Sequence, residues 1–286
     1  DDPDAGPLTD DHTERGHPMI PTDTIDKLRS VWRSVTEVCH DLDDDQWSIM
    51  TECPGWTVKD NLSHLIGTER KLQGLAAAPG IDGEFPHVKN EIGQFNENEI
   101  EARRPLSGDS VLAEWTDLVE LRLRTLLEAD DAYFAQEMST PTGPGTMADF
   151  LHIRVLDCYA HYLDIRRALG RERNLDSAAA AHTVDRLLRT VPIVVGKRAK
   201  APEGSTVVLR VTGPIERTVP VTIVDGRAKV VEEVPAEVSS EVSMDAETFL
   251  VLALGRRTAE EMANGWSVTG DQDLGRAVVS QFSMMI

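Results

Sequence analysis

The stretch LHIRVLDCYAHYLDIRRALG, residues 151–170, decides the fold. At about 100° per residue, Asp157, His161 and Asp164 share one narrow face of a helix, because positions i, i+4 and i+7 stack. Ile153, Cys158, Ala160 and Ile165 flank that face. His152, Tyr159 and Arg166 lie opposite and read as the solvent side. The helix is otherwise apolar nearly all round, with a carboxylate and an imidazole on its inward seam. Burying either without a partner is costly. Two arrangements meet the need: a metal ion shared by both, or an Asp–His hydrogen bond inside a structural core.

Working outward, Thr146 caps this helix after a turn over 141–145, and Gly170 closes it. An earlier helix begins at Thr22 or Asp23, spaces Ile25, Leu28, Val31, Trp32, Val35 and Val38 at three and four residues, and stops in the acidic run 41–45. CPGW at 53–56 signals a turn. Thr57 and Asp60 then form a capping box, with Asp in place of the usual Glu, for a second helix running to about Ala77. His64 sits two turns into it, about 10 Å from its start. The connection 79–105 carries one weak helical patch over 88–100, and its length suits a site wall or lid. A third long helix spans 107–128 with Val111, Leu112, Trp115, Leu118, Val119, Leu126 and Leu127 inside. Four long amphipathic helices in this order read as a four-helix bundle.

A fifth helix over 176–195 bridges to a different pattern. Beyond Lys200 the apolar period falls from 3.6 to 2, with strands expected at 206–211, 218–224, 228–231, 238–243 and 267–269. Asp225-Gly226 is a hairpin turn. Helices are expected over 245–254 and 271–282. The expected organisation is a disordered tail (1–21, with Met19 a possible natural start), a helical unit (22–200) and a small α+β domain (201–286).

The formal net charge of −20 argues against nucleic-acid backbones and anionic membranes as partners. The apolar fraction of 41% supports a globular core. Three cysteines without C-x-x-C spacing suit a reducing cytoplasm, and no apolar run reaches membrane-spanning length. Of the eight histidines, His12 and His17 fall in the tail, His40 at a helix end and His87 in a loop. His152 and His182 are expected at the surface. His64 and His161 differ, since both lie mid-helix near the bundle axis. With Asp157 they make the three-ligand count of a catalytic zinc centre, which leaves a fourth position for water or substrate. Arg154 and Asp164, about one turn to either side, can fix the imidazole tautomer or balance charge, or can be an ordinary ion pair.

CPGWTVKDNLSHLIGTER (53–70), DCYAHYLDIRRALG (157–170), MDAETFLVLALGRR (244–257) and VTGDQDLGRAVV (268–279) together resemble the actinobacterial mycothiol-dependent maleylpyruvate isomerase family. The resemblance implies a DinB-like metal-binding bundle followed by a sterol-carrier-like α+β domain. It further implies a divalent metal, usually zinc, held at the positions of His64, Asp157 and His161. The characterised isomerase has Glu where this chain has Asp157, one methylene shorter. The implied activity is that of a zinc- and mycothiol-dependent isomerase or thiol S-transferase acting on a small electrophile. None of the three cysteines is expected near the metal, so the thiol would come from the cosubstrate. A metal-dependent hydrolase with Asp164 or Glu69 as base, and a non-enzymatic binder of metal and an apolar ligand, stay open. The C-terminal domain is expected to wall the site with the turn Gly255-Arg256-Arg257, and either arginine is a candidate for binding a carboxylate of substrate or thiol.

Overall fold

The computed structural model describes residues 20–81 and 85–284. The expectations for a disordered tail, for Met19, and for His12 and His17 lie outside the described residues, apart from Ile20 and Pro21. Helix α1 (Thr22–Cys39) buries Ile25, Leu28, Val31, Trp32, Val35 and Val38, the whole periodic stripe. A single turn, α2 (Asp44–Trp47), follows and plants Trp47 in the core. Helix α3 (Val58–Leu72) starts at the Thr57–Asp60 capping box, in which each side chain satisfies the other residue's backbone N–H. It ends five residues short of the expected Ala77. Gly74 there takes a left-handed φ of +74°, and Leu75 N–H donates back to the Arg70 carbonyl at 2.9 Å, which closes the helix in a Schellman motif.

The connection carries α4 (Glu91–Glu101), capped by Asn90. Helix α5 (Gly108–Glu128) follows, capped by Ser107. Leu126 is buried on it, but Leu127, expected inside, is 58% exposed because it lies about 100° beyond the inward stripe. The turn α6 (Asp131–Phe134) leads to a hairpin that periodicity does not announce, β1 (Glu137–Thr140) with β2 (Gly143–Thr146). Helix α7 (Met147–Ala168) begins at the Thr146–Asp149 capping box and ends at Gly170, φ +64°. Helices α1 and α3 each pack against both α5 and α7, which makes the four-helix bundle.

Helix α8 (Ala178–Leu188) lies against α7 and α1, covering the side of α7 that reads as solvent-facing. Tyr159 is therefore buried, its hydroxyl donating to the Asn174 carbonyl at 2.8 Å. His152 and His182 are half-buried and stacked, 5.5 Å between centroids, rather than at the surface. The expected fifth helix divides here. Pro192, which has no N–H to donate, precedes a π-helical turn, Ile193–Arg198.

The sheet has the order β5-β4-β3-β6-β7. Strands β3 (Thr206–Thr212), β4 (Arg217–Val224) and β5 (Arg227–Val230) form an antiparallel meander with Asp225-Gly226 at its second turn, both at positive φ. Strand β6 (Ser240–Asp245) runs parallel to β3, reached by a crossover. Helix α9 (Ala246–Ala253) follows, then β7 (Trp266–Gly270), antiparallel to β6, and α10 (Gln272–Val279). Helices α9 and α10 pack on the sheet, and α9 also meets α8, so the sheet-bearing part rests on the helical part. Among the described residues no helix is long and apolar enough to cross a membrane.

Candidate metal centre

The two capping boxes fix where α3 and α7 begin, and thereby which residues meet between them. His64 from α3 faces Asp157 and His161, one turn apart on α7. His64 Nε2 lies 3.3 Å from Asp157 Oδ2, and His161 Nε2 lies 3.6 Å from Asp157 Oδ1. The imidazoles meet edge-on, 4.5 Å between centroids. One ligand atom from each of the three lies within 4.8 Å of the others. Both histidines are buried, whereas the Asp157 side chain keeps 17% of its exposure, so the cluster opens on that side.

Each member has its own support. The Asn61 side-chain N–H₂ donates to Thr51 Oγ1 and to the Thr57 carbonyl, both at 2.9 Å, which leaves its oxygen for His161 Nδ1 at 2.8 Å. His161 therefore carries a proton on Nδ1, which leaves Nε2, facing Asp157, as the nitrogen that an ion would take. Arg154 donates Nη1 to Asp157 Oδ2 and Nε to Glu69 Oε1, the latter at 2.9 Å. Glu69 also takes Arg122 Nε at 3.1 Å, and all three of Arg122, Glu69 and Arg154 are buried. Asp164 accepts both arms of Arg256, at 2.9 and 2.8 Å, and its Oδ2 stands 3.4 Å from His161 Nδ1. Arg257 instead pairs with Glu52 at the surface.

Trp56, in the turn before α3, covers both imidazoles, with centroids 5.1 Å from His64 and 5.7 Å from His161. Its indole N–H donates to Glu97 Oε2 at 3.2 Å; buried Glu97 also accepts from Arg104 and lies 2.9 Å from His87 Nε2. His87 packs so tightly on Gly55, φ +81°, that a Cβ there would lie 2.8 Å from the ring. The cysteine expectation needs correction. Cys53 Sγ lies 3.1 Å from Asp164 Oδ2 and 3.7 Å from His161 Nδ1, because the CPGW turn folds back over α7. Cys39 and Cys158 are buried with their thiols pushed up to about 12 by burial.

The electrostatics separate the three central groups. Burial pushes the His64 pKa down, more than Asp157 beside it can restore. At His161 burial acts the same way, but Cys53 and the bonds to Asp157 and Asp164 outweigh it and raise the pKa well above the imidazole range. Asp157 is held well below the carboxylate range, since Arg154 and His64 outweigh its burial.

The residues fit a divalent ion. His64 Nδ1 is buried with no hydrogen-bond partner among the described residues, and His64 Nε2 and His161 Nε2 both point at one carboxylate. Two imidazoles and a carboxylate with one open side are the donor set of a mononuclear catalytic zinc site. Sequence reasoning brings His64, Asp157, His161, Arg154 and Asp164 to this place. It misses Asn61, Trp56, Cys53 and Glu97. A run of polar residues on the same α3 face as His64 is the one signal for Asn61.

A four-helix bundle with a two-histidine, one-carboxylate cluster between α3 and α7, followed by a mixed sheet, defines a class of bundle proteins whose core carries a candidate cation site. Within that class, the family model described as the mycothiol maleylpyruvate isomerase N-terminal domain matches residues 28–166, and that described as the MDMPI C-terminal domain matches residues 178–277. The chain belongs to the mycothiol-dependent maleylpyruvate isomerase family. Two solved structures share its fold, the mycothiol-dependent maleylpyruvate isomerase and a histidine-to-alanine mutant of it. Each has 16% sequence identity and a TM-score of 0.51, covering 87% of this chain and 92% of its own. No curated protein sequence matches significantly.

Proposed function

We propose that the chain is a zinc-dependent enzyme that takes mycothiol as cosubstrate and acts on a small electrophile, as an isomerase or a thiol S-transferase. The observation that carries this reading is the convergence of His64, Asp157 and His161 in a chain of this family. Those three residues would hold the ion. When bound, a divalent cation lowers the pKa of a thiol placed against it, so that the thiol serves as thiolate at neutral pH.

The chain's own residues do the rest. Asn61 holds a proton on His161 Nδ1, so that Nε2 is the nitrogen left for the ion. Arg154 fixes Asp157 and shares its charge. Trp56 and the buried surroundings keep water off the imidazoles. Arg256 and Arg257 line a cavity of about 190 Å³ beside Gly255 and are the proposed anchors for a carboxylate of substrate or thiol. Arg257 is the freer of the two, because Arg256 is engaged with Asp164. A thiol that adds to an activated double bond and then leaves isomerises that bond; a thiol that stays attached gives S-transfer. Hydrolysis is disfavoured: Asp164 is taken by Arg256, and Glu69 by Arg122 and Arg154, so neither candidate base is free. The three cysteines are free and buried, which suits a reducing cytoplasm.

Metal analysis tests the site: about one zinc per chain in the wild type, and near-complete loss in each of His64→Ala, Asp157→Ala and His161→Ala. Turnover of cis-enoyl and electrophilic substrates, with and without mycothiol, tests the reaction. Turnover unchanged by omitting thiol would replace this reading with the hydrolase. Retained metal with no turnover at all would leave a binding protein.

A further inference from the structure

Behind His161, on the side away from His64, three more ligand-type atoms converge. Cys53 Sγ, His161 Nδ1 and Asp164 Oδ2 lie 3.7, 3.1 and 3.4 Å apart (sulfur to nitrogen, sulfur to oxygen, nitrogen to oxygen), and all three residues are buried. They come from two segments, the CPGW turn and α7, and share His161 with the cluster in front. We infer that Cys53, His161 and Asp164 form a second cation site, selective for thiophilic metals such as cadmium, which competes with the His64–Asp157–His161 set for the single His161 ring.

The spacing carries the site. Zinc bound to thiolate, imidazole and carboxylate stands about 2.3 Å from sulfur and about 2.0–2.2 Å from nitrogen and oxygen, and the larger cadmium ion stands a little farther from each, above the plane of the three atoms. A triangle with sides of 3.1–3.7 Å admits an ion at about those distances from all three corners. Asn61 Oδ1, 2.8 Å from the same nitrogen, offers a fourth oxygen. In the metal-free protein the Cys53 proton bridges Sγ and Asp164 Oδ2, and His161 Nδ1 carries a proton toward Asn61; the cation replaces both, the thiol proton goes to solvent, and the ring is left with one proton on Nε2.

The neighbouring charge carries the selectivity. Arg256 lies against both Asp164 oxygens, so an incoming cation meets a fixed positive charge. A hard ion such as magnesium gains too little from sulfur to offset that, whereas a soft ion gains a strong metal–thiolate bond.

The competition follows from the ring itself, and this part rests on the metal centre proposed above. A neutral imidazole has one unprotonated nitrogen. With the proton on Nδ1, against Asn61, His161 serves the front site through Nε2. With the proton on Nε2, which faces Asp157 Oδ1 at 3.6 Å, it serves the rear site through Nδ1. One ring cannot do both in its neutral form.

The test is titration of the metal-free chain with Cd²⁺, read by the ultraviolet sulfur-to-cadmium charge-transfer band. The wild type gains the band. Cys53→Ser loses it, although Cys39 and Cys158 remain. His64→Ala, which lacks the front set, keeps it. A band absent from the wild type, or surviving in Cys53→Ser, overturns the site. In zinc-loaded wild type, each cadmium bound through sulfur releases one zinc; a chain that holds both ions together overturns the competition. Failure of the wild type to bind zinc would sink the proposed metal centre instead, and the His64→Ala titration still decides the rear site by itself.

Discussion

Asn61 Oδ1 stands 2.8 Å from His161 Nδ1 and cannot be the amide nitrogen, because the other end of that amide already donates to Thr51 Oγ1 and the Thr57 carbonyl. The orientation of one asparagine thus sets which nitrogen of a proposed metal ligand faces the site. Outer contacts of this kind are commonly worth about 10–100-fold in metal affinity. Asn61→Ala is expected to weaken zinc binding by about that factor in competition with a chelator. Unchanged affinity would mean that Asp164, at 3.4 Å, holds the ring without help.

The residues that sequence places at the site are those fixed by local rules. Thr57 and Asp60 start α3 and Thr146 starts α7, so the phases of His64, Asp157 and His161 follow from helical geometry. Tyr159 and Leu127 show where that reasoning stops. Nothing within α7 says that α8 returns to cover Tyr159, and nothing within α5 says that its stripe ends one residue before Leu127. Cys53 and Trp56 sit in a turn, where no period exists to give them a face. The hairpin at 137–146 has four-residue strands, one of them Gly-Pro-Gly-Thr, too short and too poor in apolar residues for alternation to register.

Glu69 is the centre of the buried charge on the far side of the cluster. Each of its oxygens holds one guanidinium, and Arg154 carries the link on to Asp157. Removing one partner from such a set leaves uncompensated buried charge and costs about 3–5 kcal/mol. Glu69→Ala is therefore expected to lose that much stability in denaturant unfolding and to bind zinc more weakly, since Arg154 is no longer anchored. A variant as stable as the wild type would show that Arg122 and Arg154 find water or other acceptors.

His152 and His182 set an acid limit on stability. Burial, with His182 and Arg186 nearby, lowers the His152 pKa to about 4, and burial lowers that of His182 as well. A histidine whose folded pKa lies below its unfolded value binds more protons when unfolded, so stability rises with pH across the interval. The contribution is complete above about 6.5 and is lost as pH falls toward about 4. Thermal unfolding of His152→Gln should show a shallower fall over this window than the wild type. Parallel curves would refute the assignment to this stacked pair.

Arg256 and Arg257 are neighbours in sequence with opposite surroundings, and their alanine variants should separate sharply. Arg257 is largely exposed and pairs with Glu52, so Arg257→Ala is expected to change stability by about 0–1 kcal/mol. Arg256 neutralises Asp164, which is 0% exposed, so Arg256→Ala should cost about 3–5 kcal/mol by leaving that carboxylate unpaired. One neighbour works against the full loss. Arg167 Nη1 lies 3.8 Å from Asp164 Oδ1, and none of the Arg167 nitrogens has a hydrogen-bond partner among the described residues. A small rotation would let it take over Asp164. The cycle of Arg256→Ala, Arg167→Met and the double variant measures this rescue as non-additivity. The double variant is expected to lose more than the sum of the singles, and simple additivity would mean that Arg167 stays where Glu52 and Glu247 hold it.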